Sequence, residues 1–455
     1  MTMSPSRRAF LGHAARFAAF GAAAPLGLNL AAITAASAAT LPNDYRALVC
    51  IFLYGGNDSY NTLAPANPEH HQAYAAARGS LALPLEALQP YALSLARPLP
   101  DGQTLALNPR LNSLHAVHQR GELALTLRVG TLQRPVTRED YFARRNLPPK
   151  LMSHNDQFSL WQSLVAEGAN SGWGGRIADM LAASAGQQQS LFNTMSVDSG
   201  AVYSVGQHTQ EFVVTSAGPI RVAAVPGVPS AQAAMVASLT RPSPHLMRRE
   251  LAQRTLTAQA GATQLESALS GVPLGFEFPA SPLGEQLNMV TRLIAAHSQL
   301  GLKRQCFFVS LGGFDLHSDA DLLHGDLLQQ LAEAMTHFQD LLNYHGLGQQ
   351  VLTFTASDFG RALTPNGSGT DHGWGGHHLL MGQAVSPRQW AGESCSYTMG
   401  AADDIGQGRM LPSVSVDQFG ATLATWMGVP SSDLSTIFPN IGEFNQPTLD
   451  LLRAS

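Results

Sequence analysis

The sequence predicts an α/β fold with a mostly parallel central sheet flanked by helices, in three layers. Unbroken apolar runs over residues 46–54, 305–311 and 351–355 predict the central strands. Continuous rather than alternating hydrophobicity is typical of strands buried on both faces of a parallel sheet. Segments with apolar residues at helical spacing lie between these runs, as expected where helices connect parallel strands.

The remaining elements follow from local patterns of spacing and breaking residues. Apolar residues three to four apart predict helices, and glycines mark where several of them end. Short runs of β-forming residues predict further strands. Helices are predicted over residues 110–120, 285–300, 327–342 and 417–427, and also after Ser153 and Gly172; further strands are predicted over 122–129, 211–215, 220–225 and 378–381.

The leader, residues 1–39, is predicted to be a twin-arginine export signal rather than part of the fold. Ser6-Arg7-Arg8-Ala9-Phe10-Leu11 precedes an alanine-rich apolar run, and Ala36-Ser37-Ala38 suits a signal peptidase. A plain secretory leader or an uncleaved anchor is the alternative. The expected location is therefore the periplasm or the extracellular space, with the twin-arginine translocase as a partner during export.

Residues 40–455 are predicted to form a single domain. A segment of about residues 190–280 combines short strands with Ala-, Gln- and Ser-rich helical patterns, and we expect it to be an insertion packed on the main sheet. With 45% hydrophobic residues, the chain has enough apolar surface for a large core. No segment after the leader approaches 18 uninterrupted apolar residues, so no stable membrane span is expected.

Charge and cysteine usage exclude several classes of function. The formal net charge is −5, and it falls to about −8 without the leader's three arginines. No basic cluster follows the leader, so a nucleic-acid partner is not expected. The three cysteines include no Cys-x-x-Cys pair, which argues against a disulfide framework and a cysteine zinc site. Cys50 and Cys306 lie inside apolar runs and are predicted to be small buried hydrophobes.

Polar residues follow two of the predicted strands in similar patterns. Gly55-Gly56-Asn57-Asp58 follows the first strand, and Gly312-Gly313-Phe314-Asp315-Leu316-His317 follows the strand over residues 305–311. In open α/β sheets, ligands bind beyond the carboxyl ends of the strands. Asp58, Asp315 and His317 are therefore candidate metal ligands; the alternative for Asp58 is that it caps a following helix.

The stretch over residues 350–385 carries the highest density of such groups. A β-forming run leads into Ser357-Asp358-Phe359-Gly360-Arg361, and a glycine-rich loop with Asp371, His372, His377 and His378 follows. Carboxylates and imidazoles at a strand end indicate a divalent-metal site, of one ion or two. The alternative is that these residues are turn formers and solvated polar groups.

Ser153 is the candidate nucleophile. It precedes a segment with helical spacing, where free N–H groups at the helix start favour an anionic ligand. The competing interpretation is that Ser153 only caps this helix.

Five motifs together resemble a known family. SRRAFL, FLYGGNDSYNTLAP, LGGFDLHSD, SDFGR and NGSGTDHGWGGHH occur in this order and look like the family called domain of unknown function 1501. That family is grouped with the alkaline phosphatase and sulfatase superfamily, whose members cleave phosphate or sulfate esters with bound divalent metals. The resemblance implies an alkaline phosphatase-like fold and a similarly placed site.

The resemblance also implies roles for individual residues. Asp58 would bind metal from the first strand, and Ser153 would take the place of the nucleophile. Asp315 with His317 or His324 would serve one ion, completed by His372 or His377, and Asp358 would serve the other. Arg361 would steady an anionic oxygen.

Three departures from the superfamily pattern are visible. Phe359 stands where alkaline phosphatases have a histidine after the strand-end aspartate. Asp315 and His317 are two residues apart rather than the three of that pattern. Ser153 also lacks the Cys/Ser-x-Pro-x-Arg context of sulfatases.

The sequence therefore predicts an exported, metal-dependent hydrolase of phosphate or sulfate esters. The expected cofactor is a divalent metal, either zinc, manganese, magnesium or calcium, and the expected substrate is an anionic small molecule or a glycan ester. The alternative is a non-catalytic exported protein for binding or surface assembly that keeps the fold. A metal-free serine hydrolase is disfavoured because no Gly-x-Ser-x-Gly motif is present.

Overall fold

The computed structural model describes residues 45–184, 190–221, 229–272 and 277–453. Within these ranges, ten strands form one mixed sheet in the order β13-β4-β12-β9-β1-β8-β5-β6-β7, and β14 pairs with β4 beside β13. The sheet strands are β1 (Arg46–Leu53), β4 (Leu123–Gly130), β5 (Thr194–Val197), β6 (Phe212–Thr215), β7 (Gly218–Pro219), β8 (Arg304–Leu311), β9 (Val351–Ser357), β12 (Gly376–Met381), β13 (Trp390–Ala391) and β14 (Val414–Ser415). Two small antiparallel pairs join β2 (Leu63–Pro65) to β3 (Leu105–Leu107) and β10 (Arg361–Pro365) to β11 (Thr370–His372).

Most strands of the large sheet run in one direction. β1 pairs in parallel with β8 and with β9, and the parallel arrangement continues through β5 to β6. β12 is antiparallel to its neighbours β4 and β9, and β7 is antiparallel to β6. The predicted α/β fold class, with a mostly parallel central sheet, is confirmed.

Helices cover both faces of the sheet. They are α1 (Ser59–Thr62), α2 (Pro68–Arg78), α3 (Leu85–Leu88), α4 (Asn112–Gln119), α5 (Arg138–Phe142), α6 (His154–Ser163), α7 (Trp173–Ser184), α8 (Pro229–Leu239), α9 (Leu246–Ser270), α10 (Pro282–Ala295), α11 (Ala320–Tyr344), α12 (Val416–Met427) and α13 (Leu434–Ile437). Short 3₁₀ turns span Gly79–Leu81, Gln89–Tyr91, Pro109–Leu111, Val202–Ser204, Ser431–Asp433 and Ile441–Glu443.

The alternation of side chains along β1 produces two separate cores. Ala47, Val49 and Ile51 point into a cluster that includes residues of α4, α10 and α11. Leu48 and Cys50 point into a second cluster with residues of α6, α7 and α12. Because successive side chains of a strand point to opposite faces, an unbroken apolar strand fills both cores. The result is helix, sheet and helix in three layers.

The predicted elements differ from the observed ones mainly at their ends. The helix predicted over 285–300 begins at Pro282, because Ser281 accepts the Gly284 N–H at its start, and it ends at Ala295. The helix predicted over 327–342 extends over Ala320–Tyr344. The strand predicted over 220–225 is wrong at its start, since the strand in this region is Gly218–Pro219; residues 222–225 lie outside the described ranges.

The segment of about residues 190–280 extends one edge of the sheet. β5 pairs with β8, and β6 and β7 lie beyond it. Most of the buried residues of α9 lie in its C-terminal half, among them Gly261, Leu265 and Leu269. Cys50 and Cys306 are buried as predicted, and both are free thiols. The predicted leader, residues 1–39, lies outside the described residues.

Among the described residues, no helix combines the length and the apolarity that crossing a membrane would require.

Candidate metal centre

The carboxyl ends of three adjacent parallel strands bring the site together. β1 lies between β8 and β9, so the loops that follow these strands meet at one edge of the sheet. Gly55, with φ of 113°, allows a close approach, because a Cβ there would lie 2.3 Å from the Asp315 backbone nitrogen. Gly369 gives similar room on the other side, where a Cβ would meet the carbonyl carbon of His317 at 2.2 Å.

Three side chains present possible metal-ligand atoms to a common point. One such atom from each of His154, Asp315 and His372 lies within 4.8 Å of the other two. The Asp315 carboxylate is 3.4 Å from His154 Nε2 and 3.2 Å from His372 Nε2. Two imidazoles and a carboxylate at this separation are a donor set that suits zinc or a similar divalent ion.

The hydrogen bonds of the two histidines show which ring nitrogen is free. His372 Nδ1 lies 2.9 Å from the Met152 carbonyl oxygen, which can only accept, so Nδ1 carries the proton. His154 Nδ1 lies 2.6 Å from Asp358 Oδ2 and donates in the same way. In each neutral ring, Nε2 then holds a lone pair directed toward Asp315.

These lone pairs face the Asp315 carboxylate, which is also an acceptor. His154 Nε2 donates no hydrogen bond to it. His154 Nε2 is buried and has no hydrogen-bond partner among the described residues. Acceptors facing one another at 3.2–3.4 Å repel unless a proton or a cation lies between them. The donor set therefore fits a divalent ion.

His317 is a fourth candidate donor at the same point. Its Nε2 lies 3.0 Å from Asp315 Oδ1 and 3.0 Å from His372 Nε2. The side chains of His317 and Asp315 are each 46% exposed, so the cluster opens toward solvent. A ligand in solution can reach this point without passing through the core.

The electrostatics of the cluster follow from burial and from two neighbouring groups. Burial acts to raise the pKa of Asp315, but the hydrogen bond and charge of Arg361 outweigh it and the pKa is lowered. Burial lowers the pKa of His372, which keeps the ring neutral. Burial also raises the pKa of Asp358, and the adjacent His154 opposes this shift. An ionised Asp315 beside a neutral His372 is the protonation state that metal binding requires.

Asp358 acts on His154 rather than standing in the cluster itself. Its Oδ2 accepts from His154 Nδ1 and from the Gly55 backbone N–H at 3.3 Å. A carboxylate that binds the second nitrogen of a metal-binding histidine fixes the ring's tautomer and orientation. The Phe359 ring packs over the same histidine, with centroids 4.8 Å apart.

Arg361 is engaged almost entirely by the protein. Its Nη1 donates to Asp315 Oδ1 at 2.8 Å and to the Gly55 carbonyl at 3.1 Å. Its Nε donates to Thr370 Oγ1, and its Nη2 donates to the Thr370 carbonyl. The side chain is 1% exposed, so the guanidinium is placed to hold Asp315.

Asp58 lies apart from this cluster, in an ion pair with the buried Arg78 of α2. Arg78 also donates to Asn61 Oδ1 and to the carbonyls of Ala362 and Leu363. Burial lowers the pKa of Arg78 to about 9, with a contribution from Arg361. Asp58 occupies the N-cap position of α1 but makes no side-chain capping bond.

His377 also lies apart from the cluster, inside the protein. Burial lowers its pKa to about 3. Its Nδ1 accepts the backbone N–H of Arg128 at 3.1 Å, and its Nε2 lies 3.7 Å from Cys395 Sγ. In the neutral ring Nε2 then carries the proton, so neither nitrogen of His377 offers a free lone pair.

Ser153 stands at the N-cap position of α6, directly before His154. Its hydroxyl does not cap the helix backbone but donates to Asp156 Oδ2 at 2.9 Å. Asp156 is buried and lies 3.4 Å from Lys150 Nζ. The structure therefore places a buried carboxylate against the candidate nucleophile.

The sequence of this chain matches one known protein family over most of its length. Residues 45–440 match the family described as "Protein of unknown function (DUF1501)". The chain belongs to the DUF1501 family. No curated protein matches it by sequence.

Solved structures that resemble this DUF1501 protein do so only distantly. A lipoteichoic acid synthase from Listeria monocytogenes matches with 7% identity and a TM-score of 0.33, over 88% of this chain and 78% of that one. A sulfatase from Pseudoalteromonas sp. matches with 9% identity and a TM-score of 0.33, over 86% and 73%. Phosphonate monoester hydrolase from Silicibacter pomeroyi matches with 9% identity and a TM-score of 0.31, over 70% and 69%.

Sequence reasoning missed two residues that shape the site of this DUF1501 protein. His154 is not among the site residues predicted from the sequence, although a histidine at the start of a helix next to a candidate nucleophile is a usable signal. Arg78 gave no signal, because an arginine is normally exposed and no sequence pattern singles this one out. Its pairing with Asp58 depends on how α2 folds beneath the site.

Proposed function

We propose that this DUF1501 protein is an exported, metal-dependent hydrolase of phosphate or sulfate esters, related to the alkaline phosphatase and sulfatase superfamily. The observation that carries the proposal is the convergence of His154, Asp315 and His372, whose ligand atoms lie within 4.8 Å of one another. The five sequence motifs support the same relationship. Export by the twin-arginine route and a single domain over residues 40–455 remain parts of this proposal.

The residues that would hold the metal are His154, Asp315 and His372, with His317 as a fourth donor. Three imidazoles with one carboxylate favour zinc over magnesium or calcium, which prefer oxygen ligands. When bound, such an ion supplies a Lewis acid that polarises the ester oxygen and stabilises the developing negative charge.

Two residues position these ligands. Asp358 holds the proton on His154 Nδ1 and so presents Nε2 to the site. Arg361 donates to Asp315 and lowers its pKa, which keeps the carboxylate ionised. Since most of the Arg361 donors are occupied by protein acceptors, Arg361 acts in this proposal through Asp315 rather than on an anionic oxygen of the substrate.

Ser153 is the proposed nucleophile. Its hydroxyl already donates to Asp156, so this carboxylate is in position to accept the proton when the oxygen attacks. Ser153 also precedes the first turn of α6, whose free N–H groups favour an anionic group nearby. The esters that fit are those of an anionic small molecule or of a glycan.

One observation favours a second candidate function, that of a non-catalytic exported binding protein. Asp58 is neutralised by Arg78, and the Phe359 ring packs against His154 and His372. Asp58 is therefore not free to bind an ion, and Phe359 offers no ligand atom where the resemblance implies a histidine, so neither residue supports a second ion. A single-ion site without turnover would fit this second function.

The test is ester hydrolysis by the purified full-length exported protein loaded with zinc or manganese. Nitrophenyl phosphate, phosphonate and sulfate esters are offered to wild type, His372→Ala and Ser153→Ala. We expect turnover by wild type, its loss in both variants, and retention of metal only in Ser153→Ala.

Ser159→Ala is the matched control, since Ser159 lies on the same helix and its hydroxyl donates to the Val165 carbonyl at 3.0 Å. Turnover that survives Ser153→Ala would remove the nucleophile from the proposal. Bound metal without turnover of any ester would favour the binding function instead.

A further inference from the structure

A second concave site lies at the same edge of the sheet, around the carboxyl end of β4. It is an open groove of about 840 Å³. Its walls come from β4, from the loop before α5 and from two C-terminal loops; they include Arg128, Leu132, Asp403, Leu411 and Phe444. The cluster around Asp315 contributes none of the groove's lining residues, so this groove is separate from the candidate metal centre.

Arg128 is the unusual residue of this groove. It is buried, 6% exposed, and adopts a left-handed conformation with φ of 52° inside β4. The register between β4 and β12 shifts at this point, so Arg128 forms part of a bulge. Non-glycine residues held in this conformation concentrate at functional sites.

His377 and Ser413 hold the bulge in place. The Arg128 backbone N–H, which the bulge removes from the sheet, donates to His377 Nδ1 at 3.1 Å. The Arg128 carbonyl accepts from the Ser413 backbone N–H at 2.8 Å. This accounts for the buried, neutral His377 as a residue that positions Arg128.

The Arg128 guanidinium is only partly satisfied. Its Nε donates to the Leu411 carbonyl at 2.9 Å, and its Nη1 donates to Glu393 Oε2 at 3.2 Å and to the Ser394 carbonyl at 3.1 Å. Its Nη2 donates no hydrogen bond to any other residue in the described part of the chain. Since Nη2 is not among the fully buried atoms that lack a partner, it reaches the surface of the open groove and can donate to an acceptor that enters there.

The charges around the groove restrict what that acceptor is. Its lining carries two arginines and four carboxylates, the latter being Asp101, Glu139, Glu393 and Asp403. The excess of carboxylates disfavours an anion, and the Arg128 guanidinium disfavours a cation at the same point. An uncharged hydroxyl accepts from Arg128 and donates to a carboxylate, so hydroxyl groups match both kinds of lining. Leu132, Leu411 and Phe444 offer apolar surface between these polar groups.

We propose that this groove binds a neutral saccharide chain, with Arg128 Nη2 donating to a sugar oxygen and His377 positioning Arg128. The inference goes beyond the proposed ester hydrolysis and does not depend on metal or turnover. It assigns a binding role to His377 in place of the metal-ligand role predicted from the sequence.

The test is isothermal titration calorimetry of the full-length protein with neutral hexasaccharides of glucose, mannose and N-acetylglucosamine. We expect saturable binding of at least one of these by wild type. Arg128→Gly should weaken that binding by at least about 10-fold, because a charge-assisted hydrogen bond is lost. Glycine suits the left-handed backbone, so this variant should fold.

Ala402→Trp provides a second variant, because Ala402 is exposed and lines the groove, so the ring fills the groove without disturbing the core. Ala76→Trp, on the exposed face of α2, is the matched control and should bind as wild type does. Metal content and ester turnover should be unchanged in all three variants.

Three results would overturn the inference. These are failure of all three neutral hexasaccharides to bind, binding that Ala402→Trp leaves intact, and tighter binding of hexagalacturonate than of any neutral chain. Each is distinguishable from failure of the proposed hydrolase, which is measured by turnover and metal content.

Discussion

Two aspartates in nearly the same sequence context have opposite surroundings in the folded protein. Asp58 and Asp315 each follow a double glycine at the end of a buried parallel strand, and β1 and β8 are neighbours in the sheet. Asp58 is buried against Arg78, whereas the side chain of Asp315 is 46% exposed and faces three imidazoles.

The difference shows that the role of a carboxylate at a strand end depends on which cation neutralises it. The shared Gly-Gly-x-Asp sequence does not determine that role. At Asp58 the protein supplies its own cation from α2. At Asp315, Arg361 donates a hydrogen bond to one carboxylate oxygen. The unprotonated nitrogens of His154 and His372 also face this carboxylate, so an added cation can bind between them. Each of the following predictions tests a part of this contrast.

The largest expected effect is on metal binding when either aspartate is replaced. Asp315→Ala removes the central carboxylate and should weaken zinc binding by more than about 100-fold, beyond the usual effect of losing a supporting residue. Asp58→Asn should leave one equivalent of zinc bound, because Arg78 already neutralises Asp58. Elemental analysis of the purified proteins measures both. Equal loss of metal in the two variants would show that the contrast is wrong.

The next effect concerns stability rather than metal. Arg78→Met leaves the Asp58 carboxylate buried without its partner, and the free energy of unfolding should fall by about 3–5 kcal/mol. Adding Asp58→Asn to this variant should restore part of the loss. Chemical denaturation measures each step.

Arg110→Met is the control for this experiment. The Arg110 side chain is 53% exposed and its ion pair with Asp326 spans 3.8 Å, so its loss should cost less than about 1 kcal/mol. A similar small loss in Arg78→Met would mean that Asp58 does not depend on Arg78.

A moderate effect is expected at Asp358. Asp358→Ala removes the acceptor that fixes the proton on His154 Nδ1, so zinc affinity should fall by about 10- to 100-fold without disappearing. Competition with a chelator of known affinity gives the ratio. Complete loss of metal would instead make Asp358 a direct ligand, as the sequence resemblance implied.

The smallest effect is a change in pH dependence at His324, whose ring contacts the Asn57 side chain. Burial lowers the pKa of His324 to about 3, whereas an unfolded histidine titrates near about 6.5. As the pH falls from about 6.5 toward 3, only the unfolded chain takes up this proton, so stability present above 6.5 is lost progressively.

His324→Gln removes this titration while an amide N–H can still donate to Asn57 Oδ1, which His324 Nε2 contacts at 3.0 Å. Between pH 7 and 4.5, the metal-free variant should lose less unfolding free energy than metal-free wild type, by up to about 1.4 kcal/mol per pH unit. Parallel pH profiles for the two proteins would contradict the assignment.

The sequence predicted the sheet better than it predicted the site. Unbroken apolar runs identify β1, β8 and β9 because strands buried on both faces leave no polar position. The gathering of Asp315, Asp358 and His372 near one edge follows from parallel strands ending together. The sequence also placed Asp58 and His377 in this group, because strand ends alone do not show what lies beneath them.

The rest depended on contacts between distant segments. Arg78 reaches Asp58 only through the path of α2, and His377 faces Arg128 only because β4 bulges beside β12. His154 is brought to the cluster by the segment that follows β4. No local sequence pattern predicts the path of this segment. The sequence does not distinguish a buried structural histidine from one that can bind a metal. Only the residues that contact each ring in the folded protein distinguish the two.

The position of β1 in the middle of the sheet has a kinetic consequence. The Gly55 N–H that binds Asp358 lies 303 residues from it along the chain. Pairings between such distant segments form slowly, because closing a long loop costs conformational entropy before any stabilising contact has formed. The pocket for a cation would therefore exist only after β1 has paired with β8 and β9. Capture of the ion would then mark the completion of folding, and its binding energy would oppose reopening of the sheet.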